Sequence, residues 1–174
     1  MSLDILTPRG QQTLLDELRA AELFEERTGL RYIRTPDDAP AKVDAVVVKD
    51  GRIAGVVETK CRYGVTRQEM RSKWSDEWLV TMEKIEQGKN AAAAFGVPYY
   101  GFLYLVDEGV LLAQRIADES GQYCCRLRCD NTQTQRTVNG GSVVRCNAYI
   151  DLSGSKEWWH KKEESDGIVR STEG

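Results

Sequence analysis

Apolar and polar residues change period several times along this chain of 174 residues, and each change predicts an element. Thr7 followed by Pro8 reads as a helix N-cap with proline at the first helical position. From there to Arg27 two sets recur at helical spacing, Leu14, Leu18, Ala21, Glu25 and Leu15, Leu18, Glu22, and Gly29 ends the helix. Residues 30–34 (LRYIR) predict a first strand, and 35–40, with two prolines and two aspartates, a loop. Two β-branched runs, 43–48 and 53–59, flank Lys49-Asp50-Gly51 and predict a hairpin. Residues 61–78 are basic and aromatic with no clean period; their best helical part is 66–74. A helix over 79–95 follows, closed by Gly96-Val97-Pro98. The run 99–106 (YYGFLYLV) then reads as a buried strand parallel to the second hairpin strand. Asp107-Glu108-Gly109 turns the chain into 110–117, a strand or short helix. Segments 122–129 and 142–152 alternate, and Asn139-Gly140-Gly141 offers a turn between them, so this part predicts a hairpin-like β-extension. A polar tail over 153–174 completes the chain, with Trp158-Trp159 able to dock it.

The hairpin carries an anomaly. Asp44, Glu58 and Lys60 sit in runs that otherwise read as buried, where an unpartnered charge is costly. Glu58 and Lys60 are two apart and share a strand face. Asp44 joins that face only if the strands pair with equal parity. A two-residue loop would set Asp44 opposite Val57, on the wrong face. A three-residue loop, Lys49 to Gly51, sets it opposite Val56, diagonal to Glu58 and roughly 7–8 Å away at Cα. Two carboxylates at that separation can share a divalent cation, so the odd loop is the expectation.

Length fits one domain, with a core over about 7–117, the β-extension over about 118–152 and the tail beyond. The apolar stretches are too short to span a bilayer and no signal-like segment opens the chain, which predicts a soluble, cytoplasmic protein with no membrane partner. Five cysteines, lacking C-x2-C spacing, are expected as buried free thiols rather than a zinc or iron–sulfur site. His160 stands in a charged tail, a poor place for a catalytic base. The net charge of −3 argues against a broad nucleic-acid-coating surface. One local excess exists: Lys60, Arg62, Arg67, Arg71 and Lys73 against Glu69. That segment reads either as a lid that lies on phosphates, with Tyr63 and Trp74 available to stack on bases, or as a connector with a solvated basic face.

Asp44, thirteen residues, Glu58, one residue, then Lys60 across a hairpin resembles the signature of the PD-(D/E)XK nuclease superfamily, with Val43 where a proline usually precedes the aspartate. The run Glu17 to Gly29, ELRAAELFEERTG, is similar to the first helix of the lambda-exonuclease-like branch. By position, Glu17 would be the helix carboxylate that completes a metal site; Glu22, on the other flank, is the competing candidate, and both could be ordinary surface charges. Gln87, nine residues before Gly96, stands where that branch carries a glutamine. The resemblance implies an α/β fold with a restriction-endonuclease-like mixed sheet between helices. It implies Glu17, Asp44, Glu58 and the Thr59 carbonyl as oxygen ligands for Mg2+ or Mn2+. Lys60 would act beside the metal, Gln87 would orient water or a phosphate oxygen, and the product would carry a 5′-phosphate. Arg62, Arg67, Arg71, Lys73, Lys84 and Lys89 are the candidate contacts to DNA. The expected activity is metal-dependent phosphodiester hydrolysis of DNA, of the exonuclease or recombination type found in phages and mobile elements, with homo-oligomerisation left open. The alternatives are a non-catalytic nucleic-acid-binding or assembly module of the same fold, and an unrelated α/β protein whose β-extension binds a partner protein.

Overall fold

The structure is a computed structural model and describes residues 7–36, 42–133 and 144–160. Helix α1 (Pro8–Thr28) begins and ends on the expected signals. The Thr7 hydroxyl accepts the Gly10 N–H at 3.0 Å, and Gly29 takes the left-handed conformation at φ 69°. Then come β1 (Arg31–Arg34), β2 (Ala45–Lys49), β3 (Arg52–Arg62), α2 (Arg67–Lys73), β4 (Glu77–Thr81), α3 (Met82–Phe95), β5 (Tyr99–Leu105) and β6 (Val110–Ala117). The last strands are β7 (Leu127–Gln133), β8 (Val144–Asp151) and β9 (Lys156–Trp159). A six-stranded sheet runs β1-β2-β3-β5-β6-β9, and a three-stranded sheet runs β4-β8-β7. Among the described residues only the β3–β5 pair is parallel, bridged by a connection that contains α2, β4 and α3. The protein is therefore a mixed α/β fold.

The large sheet is covered on both faces. Ala20, Leu23 and Phe24 of α1 pack with Val47, Val57, Phe102 and Tyr104 on one face. On the other, Val56, Tyr99, Leu103 and Ile116 pack with Ile85 of α3 and with Trp78, Ala148 and Ile150 of the small sheet. Glycines permit two of the closest approaches. A Cβ at Gly88 would lie 2.3 Å from the Tyr99 ring, and one at Gly101 would lie 2.3 Å from the Trp78 ring.

Four expectations need correction. The hairpin loop holds two residues, not three: Lys49 pairs with Arg52, and Asp50 (φ 50°) and Gly51 (φ 74°) form the turn. Parity is restored instead by a bulge. Val48 pairs with Ile53 but Val47 pairs with Gly55, so Ala54 is an extra residue on β3. The register then runs Ala45↔Val57, and one step further sets Asp44 beside Glu58. Second, 79–95 is not all helix. Trp78 and Val80 point inward from β4 and pair with Ile150 and Ala148, and the helix starts only at Met82. An apolar run that passes from strand into helix without a glycine or proline hides its boundary from periodicity.

Third, the apolar stripe of α1 is rotated from the expected one. Leu15 and Leu18 are exposed, whereas Asp16 is buried. The Asp16 carboxylate is tolerable there because Tyr63 Oη, Arg19 and Gln12 donate to it at 2.6, 3.0 and 3.2 Å. Fourth, the cysteines are free, but only Cys61 is buried; Cys124, Cys129 and Cys146 are exposed and Cys125 is half-buried.

The C-terminal strands are integral to the fold. β7 and β8 pair antiparallel, but β7 starts at Leu127 and runs on to Gln133 instead of covering 122–129; their link, 134–143, lies outside the described residues, as do 37–41 of the first loop. β8 also pairs with β4, and Ile150 and Leu152 lie in the main core. β9, in the segment read as a tail, pairs with β6 and seats Trp158 against Phe24 at 5.9 Å. The part of the tail beyond His160 lies outside the described residues. Among the described residues no helix is long and apolar enough to cross a membrane.

Candidate active site

The bulge at Ala54 and the pleat of β3 together decide what meets here. Glu58 and Lys60 share a face of β3, and opposite Glu58 on the parallel neighbour lies Gly101, over which the Trp78 ring is seated. Glu58 is thus hemmed in by apolar groups and only 2% exposed. Asp44, just before β2, turns its carboxylate to the same place. Its Oδ2 accepts the backbone N–H of Thr59 at 2.9 Å, which fastens the start of β2 to β3. The opposite side of the strand is fixed as well, where Tyr32 Oη and Thr59 Oγ1 lie 2.7 Å apart.

A cation from α3 joins the two acids. Lys84 Nζ donates to Glu58 Oε1 at 2.8 Å and to Asp44 Oδ1 at 3.2 Å. Burial works against the Lys84 ammonium, but the two carboxylates outweigh it and hold its pKa above the lysine range. Glu58 remains pushed up to about 7 by burial and by the Asp44 charge, in spite of Lys84. Glu17, on α1, is also pushed up to about 7, first by burial and then by Asp44, while Arg34, Lys60 and Lys84 pull it down. These influences place Glu17 in the same electrostatic neighbourhood. Its carboxylate meets Arg34 at 3.3 Å. Lys60 occupies an exposed strand position with no hydrogen bond or ion pair among the described residues. Protein crowded around it, and then Arg62, push its pKa down, with Glu58 pulling upward.

Asp44, Glu58 and Lys84 therefore meet on the α3 side of the sheet, with Lys60 on the same face of β3, whereas Glu17 belongs to α1, which packs on the opposite face, and is linked to them through their charges. The donors are oxygen, which suits a hard divalent cation. Two of the acids are pushed toward protonation, first by burial and then by the Asp44 charge. As the side chains stand, each acid leans on a protein cation. Among the described residues no three His, Cys, Asp or Glu side chains are gathered closely enough to hold a metal ion together. The competing helix carboxylate, Glu22, is exposed.

The remaining candidates are dispersed. Gln87 donates to Glu83 Oε1 at 3.1 Å on its own helix. Lys89 pairs with Glu86 at 2.8 Å and lies over the Tyr123 ring. Arg67 is a structural residue, 4% exposed, with its guanidinium bound to Asp76 and, at 2.7 Å, to Glu157 of β9. Arg71 meets the same Glu157 at 2.6 Å and Lys73 meets Glu69 at 2.6 Å. Arg62, like Lys60, has no side-chain hydrogen bond or ion pair among the described residues. Three participants had no assigned part in the acid cluster on sequence grounds: Lys84 as the bridge, Arg34 as the Glu17 partner and Trp78 as the desolvating wall. Lys84 had a usable signal, a lysine near the start of the helix that follows the acidic strand.

No model of a known protein family matches the chain, and no curated protein matches it.

Proposed function

We propose that this protein is a metal-dependent nuclease that hydrolyses phosphodiester bonds in DNA, built on a restriction-endonuclease-like variant of the mixed α/β fold. The observation that carries the reading is the convergence of Asp44 and Glu58 on one ammonium, 3.2 and 2.8 Å away respectively, with the unpartnered Lys60 on the same strand face as Glu58. Charges buried this way are costly to fold around and serve no packing purpose, which points to chemistry.

Asp44, Glu58, Glu17 and the Thr59 carbonyl would hold Mg2+ or Mn2+, and their all-oxygen chemistry fits those ions. Such an ion, when bound, polarises a phosphodiester oxygen and lowers the pKa of a water molecule. Lys60 is free to hold the attacking water and to offset charge that develops on the phosphorus oxygens. Its lowered pKa makes it a better proton partner near neutrality than an ordinary lysine. Lys84 has the place of a resident counter-ion. It keeps the two acids neutralised and would turn toward a phosphate oxygen once they are otherwise occupied. Glu58, desolvated by Trp78, gains most from that exchange.

The test is cleavage of linear and circular duplex DNA in Mg2+, with Lys60→Ala as control. Loss of linear DNA alone indicates an exonuclease, nicking of circles an endonuclease. A wild-type protein that cuts neither and shows no Mn2+-dependent rise in Tm would refute the proposal. Lys84 also supports a second reading, a binding or assembly module in which the lysine permanently replaces a metal. That reading expects nucleic-acid binding with no Mn2+ effect on Tm.

A further inference from the structure

A cavity of about 450 Å3 opens beside the acidic cluster, on the same face of the large sheet. Its floor is Leu103 and Arg62, and its walls are Met70 and Trp74 of the α2 segment, Trp78 of β4 and Tyr149 of β8. Leu103 is the residue opposite Lys60 on β5, so the cavity begins where the candidate site ends. Glu58 and Arg62 are four residues apart on one strand, about 13 Å at a rise of about 3.3 Å per residue. The cavity has the size of a ligand pocket and is lined mainly by aromatic and aliphatic groups.

Its charged lining groups are Arg62, Arg128 and Glu77, and because Glu77 is paired with Arg128, Arg62 is the charge left over. Arg62 has no carboxylate to answer its guanidinium among the described residues, and burial pushes its pKa down, although an arginine stays charged. Arg128 is stacked on Tyr149 with its guanidinium 3.8 Å from the ring centroid, and Glu77 balances its charge at 2.8 Å. Trp78 Nε1 is buried with no hydrogen-bond partner. Trp74 is 45% exposed at the rim, an unusual position for so large an apolar side chain. An apolar occupant would leave Arg62 unmet, and an anion alone would leave the aromatic walls unused. A planar heteroaromatic ring attached to a phosphate satisfies both.

We propose that this cavity receives an unpaired nucleobase of the DNA strand, stacked on Trp74 with the adjoining phosphate on Arg62. The substrate class is then a strand with a single-stranded end or an extruded base, not an intact blunt duplex. The proposal rests on the nuclease reading for its substrate, but the cavity is separable from the chemistry because none of its lining residues is a candidate metal ligand. Base stacking is worth about 1–3 kcal/mol per base in such sites, equivalent to a change of about 5- to 150-fold in affinity.

The experiment is binding of a single-stranded oligonucleotide carrying 2-aminopurine, in EDTA so that no cleavage occurs, read by anisotropy and by quenching of the analogue. Wild-type protein quenches the analogue and binds the single strand more tightly than a blunt duplex. Trp74→Ala lowers single-strand affinity about tenfold and abolishes the quenching. Arg62→Gln, which leaves the walls intact, lowers the slope of log affinity against log salt by about one. Equal affinity and quenching in wild type and both variants would overturn the proposal, even if Mg2+-dependent cleavage were intact. Quenching that survives with cleavage absent would sink the nuclease reading and leave the base site standing. Displacement of a bound apolar dye by neither oligonucleotide nor mononucleotide would assign the cavity to another class of ligand and also overturn it.

Discussion

Lys84→Met removes the cation shared by Asp44 and Glu58 while keeping an unbranched apolar stem of similar length. At an effective dielectric near 20, unit charges at about 4 Å interact by about 4 kcal/mol. The Lys84 side chain is 41% exposed, so solvent screening reduces that to about 2 kcal/mol. Glu58 already titrates near 7 with Lys84 in place; without it, burial and Asp44 remain and both push upward. A carboxyl whose folded pKa exceeds its ordinary value of 4.5 binds more protons when folded than when unfolded, so stability is greatest below 4.5 and falls as pH rises through 7. For wild type that loss amounts to about 3 kcal/mol for Glu58. In the variant the decline continues past pH 8. Urea unfolding followed by tryptophan fluorescence in EDTA then gives nearly equal stabilities at pH 5 and a deficit of about 2 kcal/mol for the variant at pH 8. Excess Mn2+ at pH 8 raises the variant more than wild type, because no lysine competes for the acids. A pH-independent difference, or none, would show that Lys84 is not the counter-ion of Glu58 in solution.

Glu17→Gln removes an acid that titrates near 7; it should stabilise the metal-free protein at pH 8 by up to about 3 kcal/mol, leave pH 5 unchanged and shrink the Mn2+-induced rise in Tm. Arg67→Met leaves Asp76 and Glu157 without their buried cation and should cost about 3 kcal/mol in chemical unfolding, while DNA affinity per folded molecule stays constant. Gly88→Ala drives a methyl group into the Tyr99 ring and should cost about 1–3 kcal/mol, of which Tyr99→Leu in the same chain recovers a part. A neutral Gly88→Ala would mean that α3 does not pack on β5 as closely as the structure has it.

Local chemistry made much of this fold legible. Thr7, Pro8 and Gly29 bound α1, Gly96 ends α3, and Asp50-Gly51 forms a turn, because each residue acts on its immediate neighbours. The alternation in 142–152 likewise became β8. What escaped was set by distant partners. Whether Leu18 or Asp16 faces inward depends on Tyr63, which is 47 residues away from Asp16. Arg67 looked like a ligand contact because Glu157, 90 residues downstream, is invisible to local reasoning. Residues 79–81 of β4 read as the start of a helix because only pairing with β8 makes them part of a strand. The grouping of Asp44, Glu58 and Lys60 on one side of the hairpin was anticipated, but the route to it was not, since nothing local to Ala54 announces a bulge.

That extra residue makes the alignment of the acids a matter of odd and even. Ala54 lies between the hairpin tip and the acids, so the tip can be remodelled in steps that keep its parity without disturbing them. Excision of Ala54 would alter no charge and no helix, yet every residue from Asp44 to Val47 would change sides against its partner. Asp44 would then look toward α1 while Glu58 still looked toward α3. The loss of one methyl-bearing spacer with no chemistry of its own would be enough to part the two acids.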